Sequence, residues 1–133
     1  MGTPPSVQQL LEAARRGIDR FTPVEALAAQ GSGAIIVDVR CAEDRKKEGA
    51  VPGAIAFPLS VLPWRADPDS QTRDQRIANR DAQLILMCND GYSSSLAAET
   101  LSRMGFHRVG DMDGGFHGWA AAGLPVLAAP ANG

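Results

Sequence analysis

A chain of 133 residues with 44% hydrophobic content can form one domain with a real core, mostly aliphatic because aromatics make up only 5%. A formal net charge of −2 excludes the dense basic face that nucleic acid demands, and no apolar run is long enough to span a bilayer. Two cysteines and two histidines without metal-type spacing make neither a disulfide framework nor a metal site. The start, Met1-Gly2-Thr3-Pro4-Pro5, lacks a charged-then-apolar signal pattern, so a cytoplasmic chain needing no metal is expected.

Helices and strands are predicted in alternation. Ser6 and Gln9 form a capping-box pattern ahead of an apolar stripe of Val7, Leu10, Leu11, Ala14 and Ile18. Thr22, Pro23 and Glu25 open a second helix that stops near Gly31. Ala34 to Val39 is a strong strand pattern, followed by a charged helix over Ala42–Glu48 and a turn at Pro52-Gly53. Ala54 to Phe57 predicts a short strand and Leu59 to Trp64 a helical turn. Arg65 to Arg80 reads as a polar surface connection. Leu84 to Met87 is an uninterrupted aliphatic run, which marks a strand covered on both faces. Ser93 to Met104 predicts a helix with Leu96, Ala97, Thr100, Leu101 and Met104 inward and Gly105 as its stop. An edge strand over His107–Gly110 and a last helix over Phe116–Ala122, ended by Gly123, complete the pattern, and Ala128 to Gly133 reads as a tail.

Such alternation predicts an α/β fold, a mainly parallel sheet with helices on both faces and ligands beyond the carboxyl ends of the strands. Cys88 falls at one such end, between the aliphatic strand and the turn Asn89-Asp90-Gly91-Tyr92, with Ser93 and Ser94 opening the next helix. A strand, tight loop and helix start turn backbone N–H groups toward one point, and a thiol placed there gains stabilisation as its anion. A strand cysteine is more often a small buried hydrophobe, but the glycine and hydroxyl-rich helix start favour a reactive one here. Asp38 and Arg40 end the other strong strand. They either lend potential to the site or satisfy local amides and a carboxylate such as Glu43 or Glu48. Cys41 lies on the same sheet edge as Cys88, and a link between them would require Cα atoms within roughly 7 Å.

Four blocks together resemble the single-domain rhodanese-like sulfurtransferases. They are Asp38-Val39-Arg40, Val51-Pro52-Gly53-Ala54-Ile55, Cys88 to Ser94, and Asp113-Gly114-Gly115-Phe116 with Trp119 and Gly123 to Val126. The resemblance implies a sheet of about five strands, a helical extension over 1–20, a rhodanese-like domain over 21–127 and a flexible tail over 128–133. It also implies that Cys88 carries a sulfane sulfur as a persulfide, held by the loop Asn89, Asp90, Gly91, Tyr92, Ser93 and Ser94, with no cofactor. The partners implied are a small sulfur donor and a thiol or cyanide acceptor, a protein thiol among them, with neither nucleic acid nor membrane. The oligomeric state stays open. The alternative is a low-turnover sulfur carrier or regulatory binding module.

Two loop features bear on the substrate. Asp90 beside the thiolate would raise its pKa and repel an anionic donor unless it points outward. The sixth residue after Cys88 is Ser94 rather than a phosphate-binding arginine, which disfavours the phosphatases that share this fold. His107 and His117 read as surface or packing residues, Trp119 as a core anchor, and Tyr92 as either a projecting contact or simply exposed. Trp64 and Leu62 flank the site or pack inward, and Arg45-Lys46-Lys47 reads as a solvated helix face.

Overall fold

In the computed structural model, which describes residues 2–128, the alternation is realised throughout. The elements are α1 (Val7–Arg16), β1 (Asp19–Phe21), α2 (Pro23–Gly31), β2 (Ile35–Asp38), α3 (Ala42–Glu48), β3 (Ile55–Ala56), a 3-10 turn (Leu59–Val61), α4 (Leu62–Ala66), β4 (Leu84–Met87), α5 (Ser93–Arg103), β5 (Gly110–Met112) and α6 (Gly115–Ala121). Both expected capping boxes form. Ser6 Oγ accepts from the Gln9 N–H while Gln9 Oε1 accepts from the Ser6 N–H, and Thr22 with Glu25 repeats the exchange.

The strands make one five-stranded sheet in the order β1-β5-β4-β2-β3, and every pairing is parallel. The central strand β4 explains the unbroken aliphatic run. Leu84 and Leu86 enter one core with Val37, Leu62, Ala98 and Leu101, while Ile85 and Met87 enter the other with Ala26, Ile36, Phe116 and Trp119. Each such side chain contributes roughly 1.5–3 kcal/mol by leaving water. Trp119 is fully buried and its indole N–H donates to the Pro125 carbonyl at 2.8 Å, so it anchors α6.

Chain connections leave β2 and β4 in opposite directions, β2 toward β3 and β4 toward β5. The crevice between those two strand ends is the topological switch point at which doubly wound sheets bind ligands. Cys88 follows β4 and Arg40 follows β2, so the crevice lies between them.

Several expectations are corrected. The strand expected at His107–Gly110 begins only at Gly110, and it lies inside the sheet between β1 and β4 rather than at an edge. A Cβ at Gly110 would collide with the Asp19 carbonyl and lie 2.9 Å from the Phe21 ring, so glycine admits β1 beside it. Residues 19 and 20, read as the end of an extension, are strand residues paired with Gly110 and Asp111. Only Leu11 and Ala14 of the α1 stripe are buried, while Val7 and Leu10 remain exposed because α1 rests mainly on α5. On α5 the inward face is Ser94, Ser95, Ala98 and Leu101, with Leu96 exposed. Of the expected face, Leu101 is buried and Ala97 and Met104 pack against the core, while the buried face is centred toward Ser94, Ser95 and Ala98. The connection over 65–80 is pinned by Ile77, which is fully buried. Of the expected tail, all but Ala128 lies outside the described residues.

Candidate active site

Cys88 emerges from β4 into the loop before α5, and two backbone donors meet its sulfur. The Gly91 N–H lies 3.1 Å from Sγ and the Ser94 N–H 3.4 Å from it, while the thiol donates to Ser94 Oγ at 3.3 Å. Gly91 has φ of +87°, and a Cβ there would lie 2.9 Å from the Gly114 N and 3.0 Å from the Met112 carbonyl. The tight turn therefore needs glycine. From the far side, Phe116 N donates to the Cys88 carbonyl at 2.8 Å and His117 N to the Asn89 carbonyl at 3.0 Å, so the start of α6 pins the loop.

Cys88 is only 6% exposed, yet it faces an open cavity of about 590 Å³. The β2 end (Val39, Arg40, Cys41), Asp44 and the segment Pro58 to Ser60 form one wall, and Cys88 to Asp90, Tyr92 and Ser93 the other. Burial pushes the Cys88 thiol up, but hydrogen bonds from the Ser94 and Ser93 hydroxyls and the Ser94 and Gly91 amides outweigh it. Its pKa falls below the ordinary thiol value.

Ser94 also donates to a buried carboxylate. Its Oγ lies 2.8 Å from Asp111 Oδ2, and Ser95 Oγ lies 2.6 Å from the same oxygen. Asp111 is fully buried, and Arg20 meets it through Nε at 2.9 Å and Nη2 at 3.3 Å. Burial pushes the Arg20 guanidinium down, and bonding to Asp111 and Asp113 more than offsets it. Sequence reasoning missed Asp111, Ser95, Arg15 and Arg20. One signal was available for Asp111, an acidic residue inside a strand between Gly110 and Met112. The two arginines carry no local mark.

Asp38 accepts from the Arg40 backbone N–H at 3.0 Å, the local amide expected of it, but the partner expected for the Arg40 side chain differs. Arg40 does not pair with Glu43 or Glu48. Its guanidinium lies 2.9 Å from Asp38 Oδ2 and donates to the Gly49 carbonyl at 2.8 Å. Both residues are buried, and a buried cation holds its carboxylate close because neither is solvated. The Arg40 guanidinium also stacks 3.9 Å above the Phe116 ring. Arg40 Nη1 and Asn89 Oδ1 are buried without a protein partner among the described residues, and both residues line the cavity.

Asp90 points outward, as the condition on its charge required. Its carboxylate meets His117 Nδ1 at 2.8 Å, and Glu48 meets the other ring nitrogen at 2.7 Å. His117 is thus a bridge between two carboxylates rather than a lone surface residue. The Asp90 hydrogen bond first, and then Glu48, raise its pKa despite slight desolvation. His107 pairs with Asp81 at the surface. Tyr92 is exposed, with the Arg15 guanidinium 5.9 Å from its ring. Trp64 is exposed while Leu62 is buried. Cys41 is a free, exposed thiol donating to Asp44 Oδ2 at 3.1 Å, and Asn89 donates to that same oxygen. These two bonds lower the Asp44 pKa.

A thiol held by amides at the end of a central parallel strand, within an α/β sheet of this order, defines the class. A family model for the rhodanese-like domain matches residues 22–122, and the chain belongs to that family. A thiosulfate sulfurtransferase GlpE from Pseudomonas entomophila is 34% identical over 100 residues, covering 75% of this chain and 83% of its own. A sulfurtransferase from Allochromatium vinosum is 29% identical over 94 residues, 71% of this chain and 78% of its own. A solved structure from Rhodopseudomonas palustris, described as a possible tyrosine phosphatase, superposes with a TM-score of 0.83. It is 30% identical and covers 94% of this chain and 99% of its own. Among the described residues no helix is long and apolar enough to cross a membrane.

Proposed function

We propose that this protein transfers a sulfane sulfur from a small donor to a thiol or cyanide acceptor through a persulfide on Cys88. The Cys88 thiolate attacks the outer sulfur of the donor, and the donor's S–S bond breaks with its electron pair leaving on the remainder. That remainder is sulfite from thiosulfate or a thiolate from a persulfide. An acceptor thiolate or cyanide then attacks the outer sulfur, and Cys88 leaves again as a thiolate. The observation that carries this reading is the sulfur itself, lowered in pKa and met by the Gly91 and Ser94 amides at the floor of an open cavity. The same kind of donor set that stabilises an oxyanion stabilises a terminal persulfide anion.

The walls bear on the donor. Asp44 lines the cavity, while Asp90 turns its carboxylate to His117 and the lining Arg40 is already paired with Asp38. A mouth with an acidic wall and no unpaired cation among its lining residues favours a singly charged persulfide over doubly charged thiosulfate, although thiosulfate is the donor in the name of the GlpE relative. A phosphatase reading draws on the Rhodopseudomonas neighbour. Against it stands Ser94 at the position where such a loop needs an arginine for its phosphate.

The test is whole-protein mass spectrometry after incubation with thiosulfate, a low-molecular-weight persulfide and polysulfide in parallel. The expected outcome is one added sulfur, discharged by cyanide or a thiol, and absent in Cys88→Ser. An unmodified wild type, or the same adduct in Cys88→Ser, overturns the proposal. So does Cys88-dependent hydrolysis of a phenyl phosphate ester by a protein that never takes up sulfur.

A further inference from the structure

The Gly91 carbonyl, on the back of the sulfur-binding loop, is held by side chains that the loop does not contain. Arg15 Nη2 donates to it at 2.8 Å, Arg20 Nη2 at 3.0 Å and Ser95 Oγ at 3.3 Å. Arg15 is forked, its Nε donating to Ser95 Oγ at 3.1 Å, and Arg20 is locked to the buried Asp111. Both arginines precede residue 22, where the family match begins. α1 and β1 thus each deliver one guanidinium to a single loop oxygen.

We propose that Arg15 and Arg20 are positioning residues that orient the Gly91–Tyr92 peptide for sulfur binding, an inference that rests on the persulfide reading of Cys88. A trans peptide is planar, so its N–H points opposite to its C=O. Fixing the Gly91 oxygen against the two arginines turns the Tyr92 N–H away from them, on the cradle side of the loop. Among the described residues that N–H makes no loop or turn bond to a backbone carbonyl. Gly91 N–H already reaches Sγ, and the neighbouring Tyr92 N–H becomes the donor for the outer, transferred sulfur. Two cationic donors on the carbonyl also polarise the peptide and strengthen its N–H as a donor. Without the arginines the Gly91 carbonyl would keep Ser95 Oγ at 3.3 Å, and a glycine resists rotation of its peptide least of all residues.

Arg15 is the position to test, because it is only half-buried and removing it orphans no buried carboxylate. Three measurements are made on the full chain carrying Arg15→Met or Arg15→Lys. They are the thermal midpoint, the pH profile of Cys88 alkylation by iodoacetamide, and retention of bound sulfur after polysulfide loading and desalting. In Arg15→Met the fold is kept, the alkylation midpoint rises by up to about half a pH unit, and sulfur retention drops about three- to tenfold, the loss of roughly one charge-assisted bond. Arg15→Lys keeps the charge and loses the fork, so it restores the alkylation midpoint and not the retention. Wild-type retention in either folded variant overturns the inference, in Lys because charge alone then suffices. A wild type that takes up no sulfur overturns the persulfide reading instead. In that case an unshifted alkylation profile in Arg15→Met separately removes any positioning role.

Discussion

Ser94→Ala tests whether one hydroxyl sets the reactivity of Cys88. A hydroxyl has a single hydrogen, and Ser94 Oγ sits 3.3 Å from Sγ and 2.8 Å from Asp111 Oδ2. With the thiol protonated, S–H donates to Ser94 and Ser94 donates to Asp111. Once the thiolate forms, the hydroxyl gains by turning to it, since a hydrogen bond to an ionised group is worth about 1.5–3 kcal/mol. Turning gives up a bond to Asp111, also an ionised group, but that carboxylate keeps Ser95 and Arg20 while the thiolate otherwise has two amides, so the bond given up lies at the low end of the same range, about 1.5 kcal/mol. The difference favours the thiolate by up to about 1 kcal/mol, so Ser94→Ala raises the thiol pKa. The assay is the rate of iodoacetamide alkylation against pH, with denatured protein as the reference for the free thiol. A midpoint that stays put, or moves down, refutes the reasoning. It would mean that the hydroxyl never leaves Asp111 and that the Gly91 and Ser94 amides alone hold the anion.

Two further outcomes follow from the loop and its flank. Gly91→Ala places a Cβ against two backbone atoms, Gly114 N and the Met112 carbonyl, at a φ of +87°. A left-handed conformation costs an alanine about 1–2 kcal/mol before the clash is counted, so the unfolding midpoint falls and Cys88 alkylation slows by at least about tenfold; wild-type alkylation in a folded variant would show that loop shape does not activate the thiol. His117 has a folded pKa raised by Asp90 and Glu48, so its stabilisation is complete below its unfolded value and is lost as pH rises through the folded one. His117→Ala therefore lowers urea stability at about pH 5.5 by under about 1 kcal/mol, given its exposure, and by nothing measurable at about pH 9. An equal loss at both pH values would assign the effect to packing.

Much of the site was legible because its signals are local. The loop from Cys88 to Ser94 announces itself by a thiol after an apolar strand and before a glycine turn, and the structure puts the Gly91 and Ser94 amides on that sulfur. Asp38 and Arg40 were visible as strand-end charges. Their mutual pairing was not, because burial forces them together and burial is a property of the packed sheet. The α5 face was misjudged for a related reason. Ser94 and Ser95 look polar in sequence, yet they turn inward because the buried Asp111 carboxylate accepts from both hydroxyls there. The effect of Asp90 depended on His117, a residue with no sequence spacing that ties it to the loop.

The order of amino acids alone determined the alternation of strands and helices, the caps, the aliphatic centre of the sheet and the thiol at its carboxyl end. Each of these follows from preferences acting within about one element, where neighbours in sequence are neighbours in space. Tertiary structure decided what surrounds the sulfur. Arg15 and Arg20 reach the Gly91 carbonyl across 76 and 71 residues of chain, and Arg20 reaches Asp111 across 91. A parallel sheet brings those distant strand ends to one edge, and no periodicity in the chain records which side chains will meet there.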